Sequence, residues 1–155
     1  MKAFWAWYNT HMDVTIPEKI KQELLRLGVG VLYLYGSRAH GVARDDSDYD
    51  IGVVFVDSRG ADLDLDCYSE LYSALSEVFP DMLSGPKLDI TILQRANAKL
   101  QLDAIQYGSV VFESDARVRA DYEEYVIKRY DDYRFLEREY EDATFSAFDT
   151  KHVYV

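Results

Sequence analysis

A chain of 155 residues with 48% apolar side chains can bury a sizeable core, so one globular domain over residues 1–155 is expected. Its 17 Lys and Arg against 28 Asp and Glu leave a formal charge of -11, which repels a phosphate backbone, disfavours direct nucleic-acid binding, and suits a basic protein partner or a polyanion accompanied by cations. The longest apolar runs, Val29–Tyr35 and Ile51–Val56, are far short of the roughly 20 residues of a membrane span, and the opening MKAFWAWYNTHMDV has no signal-peptide pattern, so a cytoplasmic protein is expected.

Pro17 followed by EKIKQELLRLG places Ile20, Leu24 and Leu27 at helical spacing, with Pro at the first turn and Gly28 positioned to stop the helix. VGVLYLY, rich in β-branched and aromatic residues, reads as a buried strand that ends at Gly36. A short helix through Arg38 to Val42 follows, and DYDIGVVFVD reads as the second strand. In DLDLDCYSELYSALSEVF, Leu65, Leu71, Leu75 and Val78 share a helical face that Pro80 closes. Cys67, the only cysteine, excludes an intrachain disulfide and is expected to be a buried filler. KLDITIL alternates strictly, with Leu88, Ile90 and Ile92 on one face and Asp89, Thr91 and Leu93 on the other. A helix over about Asn97 to Tyr107, a short SVVFE strand and a long helix from about Asp115 to Ala143 complete the chain.

The chemistry is concentrated in GSRAHGVARDDSDYD, residues 36–50. Residues i and i+2 of a strand share a face about 6.5 Å apart, so Asp48 and Asp50 converge at the start of the second strand. Asp89 lies on a strand that could run beside them. Three carboxylates on one sheet face repel unless a cation joins them, and an oxygen-only set favours Mg²⁺ or Mn²⁺. Ahead of them, Gly36 permits close backbone approach and Ser37 opens a helix whose amides suit an anion. Phosphate bridged by metal to carboxylates implies phosphoryl or nucleotidyl transfer.

Gly36-Ser37-Arg38-Ala39, Gly41, Ser47-Asp48-Tyr49-Asp50 and the later strand Asp89 resemble the nucleotidyltransferases of the DNA polymerase β superfamily, in the form typical of its minimal, MntA-type antitoxin branch. The resemblance covers about Pro17 to Tyr140 and extends to the C-terminal RYDDYRFLEREY. It implies an α/β (α+β) fold with a small mixed sheet flanked by helices, a catalytic core over about 17–112 and a C-terminal helix over about 115–143. It further implies an antitoxin that transfers AMP from ATP to a tyrosine hydroxyl of a HEPN-domain ribonuclease toxin. In that scheme Asp48 and Asp50 bind two Mg²⁺ ions, Asp89 binds one of them and helps deprotonate the hydroxyl, and Gly36 and Ser37 hold the β- and γ-phosphates.

Blander roles compete with these. An Asp-x-Asp pair alone is commonly a solvated loop or a helix cap; the preceding Gly-Ser and the following strand set this one apart. Arg38 and Arg44 could touch phosphate or serve as surface ion pairs. Asp45 and Asp46 read as turn residues, and His11, His40 and His152 are too scattered for a catalytic or zinc cluster. Along the last helix, Tyr122, Val126, Tyr133, Leu136 and Tyr140 form a stripe that covers the sheet or meets a toxin. Two alternatives to protein AMP transfer stay open: neutralisation by binding alone, and nucleotide transfer to a small hydroxylated molecule such as an aminoglycoside.

Overall fold

The computed structural model describes residues 14–39, 47–57, 64–79 and 87–149. Helix α1 (Glu18–Arg26) buries Ile20 and Leu24 on the face anticipated from their spacing, and it stops at Gly28, whose φ is +77°. That left-handed turn feeds β1 (Val29–Tyr35), six of whose seven residues are buried. A Cβ built on Gly28 would meet nothing within 4 Å. Gly28→Ala is therefore expected to cost only the backbone strain, about 1 to 2 kcal/mol, which urea unfolding measures, and to leave the function of the chain unchanged.

Strand β1 turns directly into the four-residue helix α2 (Gly36–Ala39), and β2 (Tyr49–Phe55) returns antiparallel to it. Helix α3 (Leu65–Ser76) carries the chain to β3 (Leu88–Ile92), which pairs parallel to β2. A 3₁₀ turn (Leu93–Arg95) and α4 (Ala98–Tyr107) precede β4 (Ser109–Glu113), which closes the other side of β1. Among the described residues the sheet is four-stranded and mixed, in the order β3-β2-β1-β4. The last described element is α5 (Ala116–Asp149).

The alternation of the strands divides the core in two. Leu32, Leu34, Ile51, Val53, Leu88 and Ile90 face α1 and α3, where they meet Ile20, Leu24, Leu71 and Leu75. Val31, Tyr33 and Val54 face α4 and α5, where they meet Ala104, Tyr122 and Val126. On this second side the buried Tyr122 hydroxyl donates to Gln101 Oε1 (3.1 Å), and Gln101 Nε2 donates to the Ala96 carbonyl (2.7 Å), so neither polar group is buried unpaired.

Three expectations need correction. Leu65 is 82% exposed rather than part of the α3 face, because Asp64 caps the helix and leaves Leu65 in its first turn, pointing outward. Cys67 is only half-buried, since the same cap, in which Asp64 Oδ1 accepts from the Cys67 amide (2.8 Å), fixes it in that exposed turn. Helix α5 runs to Asp149, beyond the expected end near Ala143, across a stretch with neither Pro nor Gly to stop it. Its stripe divides accordingly: Tyr122 and Val126 are buried, whereas Tyr133 and Tyr140 are 49% and 75% exposed. The Leu136 side chain lies outside the described residues.

Candidate functional site

The end of β1 and the starts of β2 and β3 meet at one corner of the sheet. Register puts Tyr35 opposite Asp50 across the antiparallel pair, and Asp50 opposite Asp89 across the parallel pair. Neighbouring strands lie about 4.8 Å apart and paired residues point to the same face. Tyr35, Asp50 and Asp89 thus form a row across three strands, with Asp50 in the middle.

Gly36 packs against that row. It adopts φ +70°, and a Cβ placed on it would stand 2.1 Å from Asp50 Oδ2 and 3.0 Å from Asp50 Cγ. Glycine is needed twice over: for the left-handed turn out of β1 and for the room that the Asp50 carboxylate takes. Ser37 follows in the first turn of α2.

Asp48 stands one residue before β2. Its Oδ1 accepts the backbone N–H of Lys87 (2.9 Å), while the Tyr49 N–H donates to the Lys87 carbonyl (2.7 Å), so the residue ahead of β3 holds the residues that open β2. Arg38 fixes the same segment from the other side. Its Nε donates to the carbonyls of Ser47 (2.8 Å) and Asp48 (3.2 Å), and its guanidinium lies 3.9 Å from the centre of the Tyr49 ring.

Burial holds the Asp50 carboxyl above the usual carboxylate range, and the nearby charges of Asp89 and then Asp48 add to the effect. Asp89, by contrast, is exposed. Among the described residues, no three His, Cys, Asp or Glu side chains already form a cage that could hold a metal ion; the Asp48 carboxylate is turned to the Lys87 amide. The donor set nevertheless suits a hard cation. It is all oxygen, and positive charge among the three carboxylates would reverse the repulsion and desolvation that Asp50 bears.

Of the residues singled out in the sequence, Gly36, Asp50 and Asp89 come together most closely. Gly41, Arg44, Asp45, Asp46 and all three histidines lie outside the described residues. Tyr35 and Lys87 were not anticipated. The Lys87 contact is made by a backbone amide, which leaves no residue-type signal; Tyr35 was detectable only as the last strand residue before Gly-Ser.

Residues 18–117, well over half of the chain, match the family model described as "Polymerase beta, Nucleotidyltransferase". Among solved structures, a chain of a toxin–antitoxin complex with AMP-PNP is 20% identical, with 81% of this chain and 98% of that one covered at a TM-score of 0.56. A mutant of the toxin–antitoxin pair MntA–HpeT is 21% identical, with 82% and 95% covered at 0.58. A complex of tri-AMPylated Shewanella oneidensis HEPN toxin with MNT antitoxin is 18% identical, with 82% and 97% covered at 0.52. Likeness at this level of identity is a likeness of fold. No curated protein matches the chain by sequence. No described helix is long and apolar enough to cross a membrane.

Proposed function

Because the chain belongs to the polymerase β nucleotidyltransferase family, we propose that it is a minimal nucleotidyltransferase antitoxin that transfers AMP from ATP to a tyrosine hydroxyl of a HEPN-domain toxin. The observation that carries this reading is the packing of Asp50 between Asp89 and Gly36, with Asp48 two residues away. It sets a phosphate-approaching turn against an acidic corner. The toxin and ATP enter from the kind of complexes that share the fold, an AMP-PNP-bound pair and a tri-AMPylated toxin with its antitoxin.

In this reading Asp48 and Asp50 hold two Mg²⁺ ions and Asp89 holds one of them. Bound there, Mg²⁺ neutralises phosphate charge and lowers the proton affinity of the attacking hydroxyl. Gly36 and Ser37 present backbone and hydroxyl to the β- and γ-phosphates, and Arg38 adds positive charge in the same turn. A free tyrosine, with a pKa near about 10, is a poor nucleophile at neutral pH. In the same reading Asp89, which is exposed on β3, accepts the phenolic proton. The phenolic oxygen then bonds to the α-phosphorus, the bond to the β-phosphate bridge breaks, and pyrophosphate departs.

A second reading, neutralisation by binding alone, draws on the exposed Tyr133 and Tyr140 of α5, in a helix whose residues 131–142 carry six acidic and two basic side chains. Incubation of a HEPN-domain partner with the chain and ATP labelled at either the α- or the γ-phosphate tests the reaction. Label is expected on the partner from the α position only. Label from the γ position would mean phosphoryl transfer, and label from neither would favour binding alone.

A further inference from the structure

The Tyr35 side chain does more than end a strand. Its hydroxyl donates to Thr91 Oγ1 at 3.1 Å, although Tyr35 is on β1 and Thr91 is on β3, with β2 between them. Two strand spacings amount to about 9.6 Å, so the ring has to lie across β2 to make this bond. Register shows where it crosses. Tyr35 is level with Asp50, and Thr91 is level with Gly52, so the bond runs diagonally across β2 from the level of Asp50 to that of Gly52. Leu93 occupies the space above Gly52, where a Cβ would come within 2.8 Å of it. The ring is thus bounded by Asp50 on one side and by apolar groups of the α4 and α5 face on the other.

We infer that Tyr35 is a positioning residue, whose bond to Thr91 ties β1 to β3 and holds Asp89, two residues before Thr91, beside Asp50. The inference rests on the metal-binding reading of the three aspartates. Among the described residues β3 is an edge strand of the sheet, paired with β2. The bond from Tyr35 adds a second attachment on the face that carries the carboxylates. Its part is to keep two carboxylates in register, while the proton of the reaction passes elsewhere.

The test compares Mn²⁺ binding by the full chain, followed through loss of the free-ion EPR signal at a fixed concentration of the α,β-methylene analogue of ATP. Tyr35→Phe keeps the ring and removes the bond; Thr91→Val removes it from the other side. Each is expected to weaken Mn²⁺ binding roughly fivefold, the worth of one net hydrogen bond, and the double variant no more than either alone. In an Asp89→Ala background Tyr35→Phe is expected to change nothing further, a result that a general loss of packing would not give. Thermal melting in EDTA checks that each variant folds. Wild-type binding that Tyr35→Phe and Thr91→Val both leave within twofold would overturn the inference alone, as would additive losses in the double variant. Failure of the wild-type chain to bind Mn²⁺ would overturn the metal-binding reading and this inference with it.

Discussion

Asp50→Ala is expected to lower AMP transfer by on the order of 10³-fold, the effect of about 4 kcal/mol of lost transition-state stabilisation, while the metal-free protein melts at a higher temperature than the wild type. Both halves have one cause. Asp50 is the middle of three carboxylates, partly buried, and its carboxyl is held above the ordinary value of 3.8 by desolvation, then by Asp89, then by Asp48. A group so placed destabilises the free protein and becomes useful when positive charge joins it. The sign follows from linkage. With the folded value raised above the unfolded one, the folded state binds the proton more tightly in the interval between them. Metal-free stability should therefore rise as pH falls through the folded value towards 3.8, and the ionised carboxylate costs stability at every pH above that interval. Asp50→Asn should remove this component, which paired melting curves of variant and wild type in EDTA across pH 3.5 to 7 would reveal as a converging difference at the acid end, within roughly that range.

Gly36→Ala is expected to damage activity more than stability. The left-handed φ of +70° costs an alanine about 1 to 2 kcal/mol, the same kind of strain as at Gly28. Here, however, the new methyl would stand 2.1 Å from Asp50 Oδ2, and that oxygen, the far end of a side chain, is what yields. Rotation of the carboxylate spares the backbone and moves the Asp50 oxygens. A displacement of about 1 Å at a reacting centre can cost about 10²-fold, so transfer should fall by at least about that factor while urea unfolding shows a loss close to that of Gly28→Ala. Equal activity in the two alanine variants would mean that the Gly36 contact with Asp50 has no part in the reaction.

Much of the fold was legible because the elements that surround the site have strong local signals. Ile20 and Leu24 repeat at helical spacing and are buried, Gly28 stops the helix with a positive φ, and β3 alternates as its sequence does. The placement of Asp50 beside Asp89 depends on the parallel pairing of β2 and β3, whose register no local pattern in either strand sets. What escaped were features set by neighbours distant in sequence. Leu65 fits an apolar helical face, yet the Asp64 cap starts the helix so that Leu65 faces out. The aromatic stripe of α5 continues past the residues that the sheet and α4 bury, and periodicity alone cannot say where the cover ends. The diagonal bond between Tyr35 and Thr91 exists only once three strands are in register.

Nucleotidyl transfer by the acidic corner onto a partner protein would be read from the intact mass of a HEPN-domain partner produced together with the chain, and separately with the Asp48→Ala/Asp50→Ala variant. Whole AMP increments on the partner with the unaltered chain, and none with the variant, are the predicted result. A partner left unmodified by both, yet bound and silenced by both, would contradict it.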